Sequence, residues 1–157
     1  MGTVSVVAAQ LAALLFVLAL VDACISDLRA FEIPDRDSFI IIAAFLALAP
    51  SLGLAGAGWH LLAGVVVFVG GAVLFALNVW GGGDVKLCAA VALMTGFGGL
   101  PRFLVVMTLA GGVVALGALV VWRLRPGREN AGHVPYGLAI AAGGFDWLRL
   151  SLANLAG

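Results

Sequence analysis

Two stretches of this otherwise apolar chain carry residue types able to do chemistry. The first is Asp22, Cys24, Ser26 and Asp27, followed by Leu28 to Asp35; the second is Gly81-Gly82-Gly83-Asp84-Val85-Lys86-Leu87. Both place acids beside long hydrophobic segments, where ionisable groups are expensive and are functional candidates by default. Two carboxyls brought together cannot both ionise cheaply, so they share a proton. The ionised one can deprotonate a water while the protonated one polarises a peptide carbonyl. That is general acid–base hydrolysis with neither a metal nor a covalent intermediate.

The same residues have structural readings. The glycines can form a turn, with Asp84 capping a helix that begins at Val85. Asp27 can be an interfacial acid near Arg29, or can help end the first helix. Asp35 and Asp37 read as helix-start residues before Phe39. Asp22 lies five residues from Asp27 and hence on a different helix face, where it either meets polar groups within the bundle or supports the site. Three consecutive glycines, Gly81, Gly82 and Gly83, also permit unusual backbone conformations and leave room for a substrate main chain. Lys86 either orients a carboxylate or snorkels to the interface. No other constellation competes: His60 and His133 are isolated, and there is no phosphate-binding loop, nucleophile elbow or metal-ligand spacing. Neither a metal nor another cofactor is expected. Cys24 and Cys88 are too few for a disulfide framework or a four-thiolate zinc site, and read as small packing residues.

The elements that must position these acids are membrane helices. The chain has 157 residues, 64% hydrophobic and 10% charged, with mean hydropathy +1.20. A soluble domain carries roughly 25% charged residues, so lipid must solvate this surface. A bilayer core of roughly 30 Å needs about 20 apolar residues in a helix. Six runs qualify: Val4 to Val21, Ser38 to Leu54, Leu61 to Trp80, Val85 to Leu100, Phe103 to Trp122 and Val134 to Leu155. The expected fold is therefore all-α, a single polytopic membrane domain over residues 1–157 with about six transmembrane helices. The first run reads as a retained helix rather than a cleavable signal, since no Lys or Arg precedes Val4 and the run exceeds a signal core of roughly 7–15 residues. Glycines inside the runs (Gly64, Gly70, Gly71, Gly111, Gly112, Gly117) read as sites of close helix packing.

Charge sets the orientation. Arg29, Arg36, Lys86, Arg123, Arg125 and Arg128 fall in loops one, three and five, while Arg102 and Arg149 lie towards the other side. Cytoplasmic loops collect Lys and Arg, so both termini are expected outside and both acidic stretches at the cytoplasmic face. The formal net charge of zero gives a nucleic-acid partner no electrostatic support.

With these residues in place, the chain resembles the type IV prepilin peptidase family, the GxGD-type membrane aspartyl proteases. Gly81-Gly82-Gly83-Asp84 reads as GxGD, and Val85-Lys86-Leu87 extends it to GxGDxKL. Asp27-Leu28-Arg29 followed by Ile33-Pro34 is similar to the family's first aspartate motif, an Asp seven residues before Pro. Val134-Pro135-Tyr136-Gly137 with Ala139 resembles the segment opening the last helix. The resemblance implies an aspartic-type endopeptidase of pilus biogenesis and protein secretion. It would remove leader peptides from prepilin or pseudopilin precursors at the cytoplasmic face of the bacterial inner membrane. Asp27 and Asp84 would be the catalytic pair, supported by Gly81, Gly82, Gly83, Lys86, Pro34 and Tyr136. Asp35 departs from the Asn common after that proline. No separate cytoplasmic methyltransferase domain is expected, and the chain is similar to the short peptidases of Flp (tight-adherence) pili and to archaeal preflagellin peptidases. Two rivals remain. One is a small proton-coupled transporter using the same aspartates as relay carboxylates, which predicts acids spread across the bilayer depth; the other is a non-enzymatic assembly subunit.

Overall fold

A computed structural model describes residues 3–124 and 134–156. These form four helices: α1 (Thr3–Ala30), α2 (Asp35–Ala76), α3 (Gly82–Leu124) and α4 (Tyr136–Ala156), with no strand among the described residues. The all-α expectation holds, but the count differs, since six separate helices were expected. By length and composition three helices, spanning Val6–Ala30, Asp35–Ala76 and Gly82–Leu124, can cross a membrane. Arg125, Arg128, Glu129 and His133, part of the expected fifth loop, lie outside the described residues.

The difference arises at two glycines. α2 has 42 residues and α3 has 43; a straight helix of that length would run about 63 Å, twice a bilayer core. Neither is straight. Gly53 (φ 68°, ψ 167°) breaks α2 and Gly96 (φ 59°, ψ 179°) breaks α3, in a region essentially restricted to glycine. The two halves of each helix fold back on one another. Phe45 and His60 stack at 5.8 Å, although 15 residues of continuous helix would separate them by about 22 Å. Cys88 Sγ lies 3.8 Å from Met107 Sδ across the second break. Where two loops were expected, single residues reverse the chain. Pro50 sits just before the first break, and its missing N–H weakens the helix there. His60 packs against the second break. Its Nδ1 donates to the Leu93 carbonyl at 2.9 Å, and its ring lies over Gly96, where a β-carbon would come within 2.7 Å.

The core is built from Phe16 and Leu20 of α1, Ile41 of α2, Leu87, Val91 and Phe103 of α3, and Ile140 of α4. α4 approaches its neighbours through small residues: a β-carbon on Gly143 would lie 2.9 Å from the Phe103 carbonyl, and one on Gly144 2.7 Å from Leu20. Phe16 and Trp147 meet edge to face at 5.7 Å. Of the glycines read as packing sites, Gly64, Gly71 and Gly111 do touch neighbouring segments, whereas Gly70, Gly112 and Gly117 face open space. The outward face is apolar, with Phe39, Leu109 and Val113 about two-thirds exposed, as a lipid-facing surface requires.

The end of α1 and the starts of α2, α3 and α4 gather at one end of the bundle. Gly83 there packs on Ile33, and Gly137 packs on Asp27 and Ile33. Asp146 lies at the opposite end, paired with Arg102 at 2.6 Å and Arg149 at 3.1 Å.

Candidate active site

Asp27 occupies the last turn of α1 and is 5% exposed. The helix stops just after it because Phe31 turns left-handed (φ 54°) while its N–H still bonds the Asp27 carbonyl at 3.0 Å. The chain then passes through Glu32 and Ile33 to Pro34, whose extended backbone (φ −66°, ψ 138°) caps α2.

The carboxylate of Asp27 reaches α4. Its Oδ2 accepts the Gly137 N–H at 2.6 Å, with the Leu138 N–H beside it. α4 opens at Tyr136, so these are among the first-turn N–H groups that have no partner within their own helix. Pro135, immediately before, has no side-chain acceptor to offer. Asp27 thus caps α4 from a different helix. The contact needs glycine, because a β-carbon on residue 137 would stand 2.8 Å from Asp27 Oδ2 and 3.1 Å from Ile33 Cδ1.

Asp84 lies in the first turn of α3, and its Oδ2 accepts the Gly81 N–H at 3.2 Å. An acid in the first turn reaching back to the residue before the helix is one arm of a capping box. Asp84 is therefore not the cap of a helix beginning at Val85: it lies inside a helix that starts at Gly82, and it braces the residue before that helix. The preceding turn is made by α2, whose end is closed by Asn78 in the left-handed region (φ 57°); Asn tolerates that region better than most residues. Gly81, Gly82 and Gly83 are used for close approach. Their β-carbons would meet Asp84 Oδ2 at 2.8 Å, the Phe75 ring at 3.6 Å and the Ile33 carbonyl at 3.0 Å respectively. Ile33 therefore touches both glycine elements that serve the acids. The arrangement sets two carboxyls at one end of the bundle, each oriented by a glycine N–H.

The other polar candidates sort differently. Lys86 does engage a carboxylate, that of Asp35, at 2.7 Å, which ties α3 to α2 beside the site. Asp22 pairs with Arg36 at 2.6 Å, tying α1 to α2. Asp35 and Asp37 do lie in the first turn of α2, but neither caps it: the N-cap is Pro34, with no side-chain cap bond. Asp37 is instead fully buried, with both oxygens lacking a hydrogen-bond partner and the Arg36 guanidinium 3.8 Å away. Tyr136 packs its ring against Trp80 at 6.4 Å. Cys88 is a buried packing residue, and half-buried Cys24 lies 4.0 Å from the Gly137 carbonyl, as two separate free thiols.

Sequence reasoning missed Ile33, Trp80 and the Asp22–Arg36 pair. Nothing local in the sequence signalled these contacts.

Searches of curated proteins and of solved structures each returned no match. A family comparison matched residues 14–116 to the type IV leader peptidase family. The match covers two-thirds of the chain and includes Asp27, Pro34, the three glycines, Asp84 and Lys86, but not Tyr136 or Gly137. The chain belongs to the type IV leader peptidase family, and its activity is that of a leader-peptidase-type protease.

Proposed function

We propose that this protein is a membrane aspartyl endopeptidase in which Asp27 and Asp84 together hydrolyse the leader junction of a prepilin-like precursor. The observation that carries the reading is the convergence of these two acids, from separate helices, at one end of the bundle. Acids spread through the bilayer depth, as a proton relay needs, are not the pattern. Asp146 is the acid of the opposite end, and it is neutralised by two arginines.

In the proposed reaction one carboxylate takes a proton from water as the oxygen attacks the scissile carbonyl. The other, protonated, hydrogen-bonds the carbonyl oxygen and stabilises the charge that develops there. Collapse of the tetrahedral intermediate breaks the C–N bond, and the leaving nitrogen takes a proton from the pair. The products are a free carboxyl and a free amine, and the dyad returns to its starting state. The pair titrates as a unit, so neither acid is assigned a fixed role. The glycine N–H bonds orient one oxygen of each carboxyl. Gly81 is exposed, and it is there that a substrate main chain would come nearest to Asp84.

The bundle would cross the membrane six times, each half of α2 and α3 making one crossing and turning at Gly53 or Gly96. Arg29, Arg36, Lys86 and Arg123 share the site's end of the chain's helices, which supports a cytoplasmic site and external termini. A precursor would bring its leader to that face and its apolar segment into the bilayer.

The test is co-expression with a pilin-like precursor, scoring mature against precursor protein. Asp27→Asn and Asp84→Asn should each lower cleavage by at least about 10²-fold, the lower range for acid–base catalysis. Normal cleavage by either variant, at normal abundance in the membrane, would overturn the reading.

A further inference from the structure

Trp80 immediately precedes Gly81, whose N–H is held by Asp84 at 3.2 Å. Tyr136 immediately precedes Gly137, whose N–H is held by Asp27 at 2.6 Å. These two aromatic rings meet, with centroids 6.4 Å apart and planes inclined at 53°, inside the range of roughly 4.5–7 Å over which aromatic pairs attract. Each ring is thus one residue from the peptide group that orients one of the two acids. The contact joins the turn before α3 to the start of α4, two segments more than fifty residues apart in sequence.

The two ends of this link differ in stiffness. Gly137 is buried and belongs to a helix packed on Phe103, Leu20 and Phe16. Gly81 is exposed and lies outside α3, held to it at one side only, by its carbonyl accepting the Val85 N–H at 3.2 Å and its N–H reaching Asp84. The bonds closing the turn, from the N–H groups of Leu77, Asn78 and Val79, run back to α2 and stop short of Gly81. On its other side the residue before Gly81 is held through the half-buried Trp80 ring, which packs against the core and meets Tyr136.

We propose that the Trp80–Tyr136 contact is a strut that sets the spacing between the carboxyls of Asp27 and Asp84, which makes Trp80 a positioning residue. The proposal rests on the reading of those aspartates as the catalytic pair. A strut acts on the geometry of the chemical step, so its loss falls on kcat. A ring that instead gripped the substrate would act on KM.

The experiment uses the full chain in detergent or lipid nanodiscs with a precursor substrate, measuring kcat, KM and the pH–rate profile. Trp80→Ala should lower kcat by about 10- to 100-fold, since displacements near 1 Å can cost about 10²-fold, while KM changes little. Its pH–rate profile should change in width, because the apparent values of a coupled pair depend on the distance between its members. Trp80→Phe, which keeps a ring, should recover most of kcat. Trp80→Ala combined with Tyr136→Ala should be no worse than the weaker single variant, because one contact is lost once. Trp80→Leu and Tyr136→Leu keep apolar bulk and serve where an alanine variant is not recovered from the membrane.

Unchanged kcat in Trp80→Ala, a loss confined to KM, or additive losses in the double variant would each overturn the strut. Asp27→Asn and Asp84→Asn run in parallel. If those two cleave normally, the catalytic reading itself fails, whatever Trp80 does; if they are inactive while Trp80→Ala is unaffected, only the strut fails.

Discussion

Asp27 Oδ2 accepts a 2.6 Å hydrogen bond from the backbone N–H of Gly137, 110 residues further along the chain. The contact gives one carboxylate two tasks: it caps α4, and in the proposed reaction it exchanges protons with water. The tasks are separable, because capping needs only an acceptor oxygen whereas acid–base chemistry needs an ionisable one.

Asn and Ala at Asp27 should therefore differ in stability though both are inactive. Asp27→Asn keeps an oxygen for the Gly137 N–H and should unfold near the wild-type temperature. Asp27→Ala removes the cap and should lose about 0.5–2 kcal/mol of stability. Thermal unfolding in detergent beside the cleavage assay separates the effects. Equal stability of the two variants would mean that the cap bond contributes nothing.

Gly137→Ala should be among the most damaging single-methyl changes in the protein. Its β-carbon would press on Asp27 Oδ2 at 2.8 Å and on Ile33 at 3.1 Å, so the carboxylate or α4 must move. Cleavage should fall by about 10²-fold, the scale expected for misplacing a reacting group by about 1 Å. Gly112→Ala, at a site with nothing within 4 Å, should cleave normally and gain up to about 1 kcal/mol of stability. Comparable behaviour of the two variants in the cleavage assay would contradict the packing described here.

Asp37 is a buried acid outside the proposed mechanism. Its oxygens make no short hydrogen bond, its neighbours being the Arg36 guanidinium at 3.8 Å and the Asp22 carboxyl, and burying a charge so weakly compensated is costly. Asp37→Asn should retain cleavage, with an unfolding temperature equal to or above that of the wild type. Asp22→Asn breaks an exposed ion pair with Arg36, worth roughly 0–1 kcal/mol, and changes the carboxyl that faces Asp37; it should also cleave. Loss of cleavage in Asp22→Asn with Asp27→Asn active would shift the catalytic assignment along α1.

Topology is testable by single-cysteine labelling in a background with Cys24 and Cys88 replaced by Ala. Glu32 is exposed between α1 and α2, and Leu54 is 94% exposed at the first glycine break. An impermeant reagent added to intact cells should label Leu54→Cys and spare Glu32→Cys until the membrane is opened. The reverse pattern would place the acids on the outer face.

Much of the site was legible from local sequence. The spacing of Asp84 behind three glycines, and of Asp27 seven residues before Pro34, needs only one turn or one loop to acquire meaning. The apolar runs were legible too, because a bilayer demands a minimum length of hydrocarbon-compatible helix whatever the tertiary fold. The helix ends were less so. Asp35 and Asp37 have the spacing of capping acids, but a lysine 51 residues away from Asp35 and the packing around Asp37 decided their partners.

Local pattern was enough for the all-α character and for the two acidic stretches around Asp27 and Asp84, since hydropathy and backbone preference act over a few neighbouring residues. Packing between distant segments made Gly53 and Gly96 reverse the chain without loops, brought Asp22 to Arg36, and set Asp27 to cap α4 through Gly137. Those outcomes depend on which helices pack together and how closely. That is set by shape and by the need to satisfy polar groups in a low-dielectric interior, across separations that no local pattern records.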